Sequence, residues 1–523
     1  MGRTLLRLTG AMLLLVAVIA LAAPRPVHTP LHQPWVVAGV VVLMAAALLV
    51  RLPRVLLRDD GARWTRVRVP TVVALAGGIV TVATGLGLRY PFGWDARVVM
   101  DLAATLDSGR PLGEAGVSYL SRYPNNLPLL VVDEWGHAVG RLLGVDPVDV
   151  LVVLGAVAVA ITLYAVHDVV VHVAGRGPAL GAQLATFALV APSPWVAVPY
   201  TDVYALPFIA VAVALTARAL AAPGRDRRRL VLVAGALLST LVAYALKTTP
   251  VVVAVAIGLT IALVAWDRAR PRRRRVAIVA VAAAGLAAFT GAALTVPSVA
   301  KVASGLGETR FIDGVTPTPL WWVANGAEQG VTVDGQPTYG SYSRQMVLAI
   351  AHLTPAETNA YASRFLADRW AERGLGGTLA FYTDKLAWNW GDGMFTAWGE
   401  GGDSLPGVLP PASGLVGVVH AVDGYHGGAY GLRSDLAQAL WVALLLVAGV
   451  GLLRAPYRRE VLLLAVTVLG IAAFTLLFQG RARYLFAYVP VVAALAGMVH
   501  RSLPRLPLLR PGSQLRPRHL RGR

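Results

Sequence analysis

Leu88-Arg-Tyr-Pro-Phe-Gly-Trp-Asp-Ala-Arg97, continued by Val98-Val-Met-Asp101, follows directly on the apolar run Thr71 to Leu88. A run of that length is what a helix needs to cross roughly 30 Å of hydrocarbon. The segment therefore reads as the outer end of a membrane span with two carboxylates, Asp95 and Asp101, just beyond it. Farther along, Ser121-Arg-Tyr-Pro-Asn-Asn-Leu-Pro128 adds a second polar stretch on the same side.

The rest of the chain has the same character. Of 523 residues, 56% are hydrophobic and 14% charged, and the mean hydropathy is +0.62. Soluble proteins of this size approach about a quarter charged residues, so the expected class is an all-α polytopic membrane protein. The net charge of +19 is gathered in short segments between apolar runs: Arg51 to Arg68, Arg225 to Arg229, Arg268 to Arg275, Arg454 to Arg459, and Arg501 to Arg523. That distribution follows the rule that cytoplasmic loops are basic, and nucleic acid is not implied. Lysine is confined to Lys247, Lys301 and Lys385, and the Ala/Val/Arg/Gly-rich usage suggests a high-GC genome of actinobacterial type. Cysteine is absent, which excludes disulfides and thiolate chemistry.

About twelve spans are expected: Thr4 to Ala23, Trp35 to Val50, Thr71 to Leu88, Val150 to Val171, Ala179 to Val198, Val203 to Ala222, Leu230 to Leu246, Val251 to Trp266, Val276 to Val296, Leu436 to Leu453, Val461 to Phe478 and Tyr484 to Val499. The first is read as retained, although Ala20-Leu-Ala22 resembles a signal-peptidase site. Leu127 to Leu143 carries Asp133, Glu134 and His137. If it crossed, two basic clusters would face outward, so it is read as an interfacial helix. Both termini are then cytoplasmic, and the basic tail lies beside anionic lipid. The organisation is two N-terminal helices and a basic loop (1–70), a core (71–297) with a first outer loop (89–149), a long extracytoplasmic loop (298–433), C-terminal helices (434–500) and a tail (501–523). The long loop holds helical patterns over Tyr342 to Leu353, Pro355 to Arg373 and Gly377 to Trp390, with a capping-box sequence at Thr354-Pro-Ala-Glu357.

A carboxylate just outside a helix end can be partly desolvated and still reach a water-borne substrate, which suits a general base. Asp95 is the first candidate and Asp101 a second carboxylate; the competing reading is of two ordinary interfacial acids. Asp202, in Pro199-Tyr-Thr-Asp202, lies at another outer helix end, where it could share the cavity or cap the next helix. Two such acids could hold Mg²⁺ or Mn²⁺, but no Asp-x-Asp pair occurs, so a metal is not required. Arg481 and Arg483, beside Tyr484, break the charge rule by lying outside, and guanidinium forks suit a lipid phosphate. Lys247 at an outer helix end suits phosphate binding or snorkelling. Arg122, Tyr123, Asn125 and Asn126 form a cluster able to bind a sugar or to make an interfacial turn. Trp388, Trp390 and Asp392 could line or cover a substrate site from the long loop.

This layout resembles the GT-C superfamily of integral-membrane glycosyltransferases, which includes protein O-mannosyltransferases and aminoarabinose transferases. Trp94-Asp95 after an early span, Tyr123-Pro124, Ala191-Pro-Ser-Pro194, Tyr200-Thr-Asp202, Lys247-Thr-Thr-Pro250 and Arg481-Ala-Arg-Tyr-Leu485 carry the resemblance over most of Thr71 to Val499. It implies a polyprenyl-phosphate sugar donor, an inverting transfer outside the cytoplasmic membrane to a glycan, lipid or protein acceptor, Asp95 as base, and Arg481 and Arg483 at the donor phosphate. Mannose or arabinose for cell-envelope glycans is suggested only by the actinobacterial type of the composition. Many relatives carry an adjacent acidic pair in the first loop and an acid before the arginines; this chain has a single Asp95 and Gln479 there. A transporter with about twelve helices and a lipid-pyrophosphate-dependent polymer ligase are the rival readings. The spans are nearly free of charge and show no repeated halves, which argues against a transporter.

Overall fold

A computed structural model describes residues 1–22, 37–41, 63–90, 92–222, 226–268, 272–331, 337–400, 409 and 411–503. Most of the expected Trp35 to Val50 helix, residues 51–62 of the first basic loop, Arg225 and the tail beyond residue 503 lie outside these. The chain begins with α1 (Gly2–Ala22) and α2 (Arg63–Leu88). The segment between α2 and residue 147 folds as α3 (Trp94–Asp107), α4 (Glu114–Arg122) and α5 (Leu127–Leu143). The core continues through α6 (Pro147–Ala174), α7 (Arg176–Val190), α8 (Thr201–Ala221), α9 (Asp226–Leu246), α10 (Val251–Arg268) and α11 (Arg272–Ala303). The long loop contains α12 (Pro319–Gly326), strands β1 (Gln329–Val331) and β2 (Pro337–Tyr339), α13 (Arg344–Ala349), α14 (Pro355–Trp390), α15 (Ala397–Glu400) and α16 (Gly414–Asp423). The chain closes with α17 (Tyr430–Arg454), α18 (Arg459–Leu477), α19 (Arg483–Phe486) and α20 (Val489–Val499).

Among the described residues, eight helices are long and apolar enough to cross a membrane: α1, α2, α6, α8, α9, α11, α17 and α18. Other expected spans take shorter forms, and proline is the physical reason in two of them. Ala179 to Val198 is helical only to Val190, because Pro192 and Pro194 lack the N–H a continuing helix needs. Ser193 accepts from the Trp195 amide at 3.4 Å and starts a 3₁₀ turn over Pro194–Ala197. Tyr484 to Val499 divides into α19 and α20, with Pro490 in the first turn of α20. Val251–Trp266 is an apolar helix below spanning length.

Burial orders the bundle. The apolar windows of α8 and α17 are 78% and 72% buried, which places them at the centre, whereas that of α11 is 11% buried and lies at the rim. The segment α3–α5 docks on the core through α5, which packs against α3, α6 and α11. Gly144, in the left-handed conformation at φ 67°, ends α5, and Asp146 caps α6 by accepting from the Val148 amide at 2.8 Å. α5 has 17 residues and buries Asp133 completely, with neither carboxylate oxygen hydrogen-bonded.

In the long loop the expected capping box forms: Thr354 Oγ accepts from the Glu357 amide at 3.3 Å, and Glu357 accepts from the Thr354 amide at 2.9 Å. The two helices expected on either side of residue 374 are halves of α14, broken at Gly374 (φ 58°, ψ −172°). Helix α13 is shorter than Tyr342 to Leu353, since Ser343 caps it by accepting from the Met346 amide. A short antiparallel hairpin in which Gln329 pairs with Tyr339 is an element not expected from the sequence.

Helix α1 runs along α17 at close range because glycines face each other: a Cβ on Gly449 would lie 2.8 Å from Leu14 and 3.1 Å from the Gly10 carbonyl oxygen. Gly449→Leu is expected to push α1 off α17 and to lower the thermal unfolding midpoint of the detergent-solubilised protein by several degrees, roughly the effect of 1–3 kcal/mol of overpacking. An unchanged midpoint would mean that α1 is not part of the folded bundle.

Candidate active site

Helix α2 stops at Leu88, and the chain turns through Arg89 (φ 36°) and Trp94 (φ 40°), two side-chain-bearing residues held in the left-handed region. This turn starts α3 with Asp95 in its first turn, where a helix N-terminus favours negative charge. Asp95 Oδ1 accepts from the Tyr119 hydroxyl at 2.7 Å, and Oδ2 from the Tyr200 hydroxyl at 3.4 Å. Tyr119 Oη in turn accepts from Asn126 Nδ2 at 2.6 Å, and Asn126 Oδ1 from Asn125 Nδ2 at 3.2 Å. Burial first, and then the Asp95 charge, pushes both tyrosine hydroxyls well above their ordinary pKa. Both phenols therefore stay protonated as donors, and the carboxylate is the acceptor between them.

A cationic wall adjoins this acid. The Arg483 guanidinium lies 4.2 Å from the Trp94 ring and 5.1 Å from the Tyr200 ring, so it belongs to the same cluster as Asp95. Attraction between the cation and these ring faces holds the guanidinium beside the acid. Lys247, just past α9, forms a buried ion pair with Asp202 in the first turn of α8 and sits 4.4 Å above the Tyr484 ring. Burial pulls Lys247 down to about 8; Asp202 opposes that and Arg483 adds to it. Asp202 Oδ2 has no hydrogen-bond partner among the described residues. Arg481 reaches toward the Tyr342 ring at 5.9 Å, which brings the long loop to the rim.

Asp95, Asn125, Asn126, Tyr123, Asp202, Lys247, Arg483 and Tyr484 thus meet or adjoin at one end of the bundle, although they derive from five separate parts of the chain. Tyr123 enters by packing on Tyr119 at 5.4 Å. Other candidates are placed elsewhere. Asp101 pairs with Arg97 at 3.0 Å on an exposed helix face, because the six-residue step from Asp95 turns it away. Arg122 donates to the Ala351 carbonyl at 3.3 Å and so ties α4 to the long loop. Asp392 is fully buried in its own turn, accepting from the amides of Met394 (2.8 Å) and Thr396 (2.6 Å). Trp390 stacks on Trp441 at 6.1 Å, and Trp388 packs on Tyr339. These three support the loop rather than face Asp95. Among the described residues, no group of three or more His, Asp and Glu side chains offers a divalent-cation site.

Three residues at or beside this cluster are not among the candidates read from the sequence. Tyr119 lies in the last turn of α4, and Tyr123, just past the end of that helix, packs on its ring. Tyr200 was visible only as part of a motif. Lys385 carried the same signal as Lys247, being one of three lysines in the chain, but its setting in a soluble-looking helix concealed it. Its ammonium is completely buried and donates to the carbonyls of Gly326 (2.5 Å), Leu476 (2.7 Å) and Phe478 (2.8 Å). It thereby caps the C-terminus of α18, where a cation is favoured, and pins the segment that leads to Arg481 and Arg483. Asn325 completes the clamp by donating to Gln479 Oε1 at 2.8 Å, and the Gly480 amide donates to the Gly340 carbonyl at 2.8 Å. Lys385→Met keeps the bulk but leaves three carbonyls buried without a donor. It is expected to cost about 3 kcal/mol in unfolding measurements, and a loss under 0.5 kcal/mol would contradict the clamp.

The chain belongs to a family described as conserved hypothetical integral membrane proteins, whose model matches residues 27–502. Among solved structures it is similar to ArnT from Cupriavidus metallidurans bound to undecaprenyl phosphate, at 14% identity and a TM-score of 0.34, over 84% of this chain and 78% of that one. It is also similar to the archaeal oligosaccharyltransferase AglB from Archaeoglobus fulgidus in complex with an inhibitory peptide and a dolichol-phosphate, at 14% identity and a TM-score of 0.39, over 84% of this chain and 50% of that one. The chain thus spans half the length of AglB. No curated protein matches it in sequence.

Proposed function

We propose that this protein is a glycosyltransferase of the GT-C type, which moves a sugar from a polyprenyl-phosphate donor to an extracytoplasmic acceptor of the cell envelope. The observation that carries the proposal is the arrangement of Asp95 between two phenolic donors, within one aromatic layer of the Arg483 guanidinium. A polyprenyl tail lies in the bilayer and its phosphate at the headgroups, so such an enzyme needs its base and its phosphate site at one membrane face. The two tyrosine hydroxyls occupy part of the carboxylate's acceptor capacity and fix its plane, and the remaining lone pairs are open to an acceptor hydroxyl. That oxygen attacks the anomeric carbon as Asp95 takes its proton. The bond from the anomeric carbon to the phosphate oxygen breaks with its electron pair, configuration is inverted, and polyprenyl phosphate departs. Arg483, Arg481 and Lys247 stabilise the charge that gathers on the leaving phosphate.

Two measurements test this reading. Asp95→Asn is isosteric and keeps both tyrosine contacts possible, yet cannot accept the proton. With equal expression, transfer from labelled polyprenyl-phosphate sugar in membranes should fall by about 10² to 10⁴, and unchanged transfer would remove Asp95 as the base. Lys247 provides the pH test. Its pKa is depressed to about 8, so the ammonium is present below that pH and is lost as pH rises through it. Donor KM should climb above pH 8 by up to about tenfold per unit, and the climb should disappear in Lys247→Arg. The same rise in both proteins would place the titration elsewhere.

A further inference from the structure

At the end of the bundle opposite Asp95, α8 and α10 finish and α9, α11 and α18 begin. There the helices enclose a cavity of about 700 Å³. Its walls, to which Ile257 and Leu286 belong, are aliphatic along the length of the helices. Its rim holds Arg229, Arg274 and Arg459, each from a different helix, and among the described residues none that lines it is acidic. Arg229 is fixed in place by donating from Nε to the Ala222 carbonyl at 2.9 Å, so this guanidinium also closes the C-terminus of α8. Arg274 and Arg459 lie in the opening turns of α11 and α18, whose free amide groups add positive potential at the same mouth. The cavity lies beside the two least buried spans, with 11% of the α11 window and 28% of the α9 window covered by protein.

We infer that this cavity is a binding site for an anionic glycerophospholipid of the leaflet opposite the Asp95 site, with its phosphate held by the arginines and an acyl chain lying between α9, α10 and α11. A free anion would use the rim and leave the aliphatic walls without a partner, while a zwitterionic lipid would gain little from three guanidinium groups. Only a molecule that combines hydrocarbon with net negative charge matches both parts. By the distribution of basic loops this leaflet is the cytoplasmic one. The bound lipid would take the place of protein packing against α11. The inference stands apart from the transferase reading, since it uses none of the residues at the Asp95 end.

The full chain, delipidated in detergent, is titrated with dioleoyl-phosphatidylglycerol, dioleoyl-phosphatidylcholine or inorganic phosphate, with lipid retention read by native mass spectrometry and stability by thermal unfolding. Phosphatidylglycerol should be retained and should raise the unfolding midpoint, and the other two should do neither. The double variant Arg274→Gln/Arg459→Gln, which spares the cap made by Arg229, should weaken phosphatidylglycerol retention by about thirtyfold. Ala282→Phe, which fills the cavity and leaves every charge in place, should abolish retention. Equal retention of the two lipids, a midpoint shift with inorganic phosphate alone, or undiminished phosphatidylglycerol binding in either variant would overturn the inference.

Discussion

Hydrocarbon offers no hydrogen-bonding partner, so a chain with this composition must close its backbone bonds within helices and send its polar chemistry to the helix ends. That constraint explains why residues as distant as Asp95, Tyr200, Lys247 and Arg483 converge. Each follows or precedes an apolar run that stops at the same face, and helix packing brings those ends together. Within the cluster, charges are met by specific partners: Asp95 by two phenols, Lys247 by Asp202, and Arg483 by three aromatic rings.

The long loop completes the site from outside the bundle. Its contribution is rigidity as well as cover. Lys385 and Asn325 clamp the residues before Arg481, and Gly340 holds the Gly480 amide. A guanidinium that stabilises a leaving group is useful only if it is held where charge develops, and a turn at the end of a membrane helix is otherwise free to fray. The clamp holds that turn with the buried Lys385 amine, which donates to three carbonyls while burial lowers its pKa to about 7.

Much of this was legible from the chain. Span ends, and hence the face on which Asp95, Asp202, Lys247 and Arg483 lie, follow from apolar length and from the placement of arginines. The capping box at Thr354 was readable because its mechanism is local. Other features were hidden for physical reasons. Ala179 to Val198 is apolar enough to suggest a span, but hydropathy does not register the missing N–H of Pro192 and Pro194. Tyr119 meets a carboxylate 24 residues earlier, a tertiary contact without a local pattern. Asp392 and Trp390 looked like site residues because they are polar or aromatic near glycines, yet their groups are used within the turn and the packing that hold the loop.

The central claim is that one acid and one guanidinium face the same lipid-linked phosphosugar. The most direct measurement is a structure of the protein in lipid nanodiscs with a polyprenyl-phosphate sugar bound. The prediction is that the donor phosphate lies within hydrogen-bonding distance of Arg483 and that the anomeric carbon faces Asp95 across room for one acceptor hydroxyl. A donor phosphate bound at the opposite end of the bundle, or with its sugar turned away from Asp95, would contradict it.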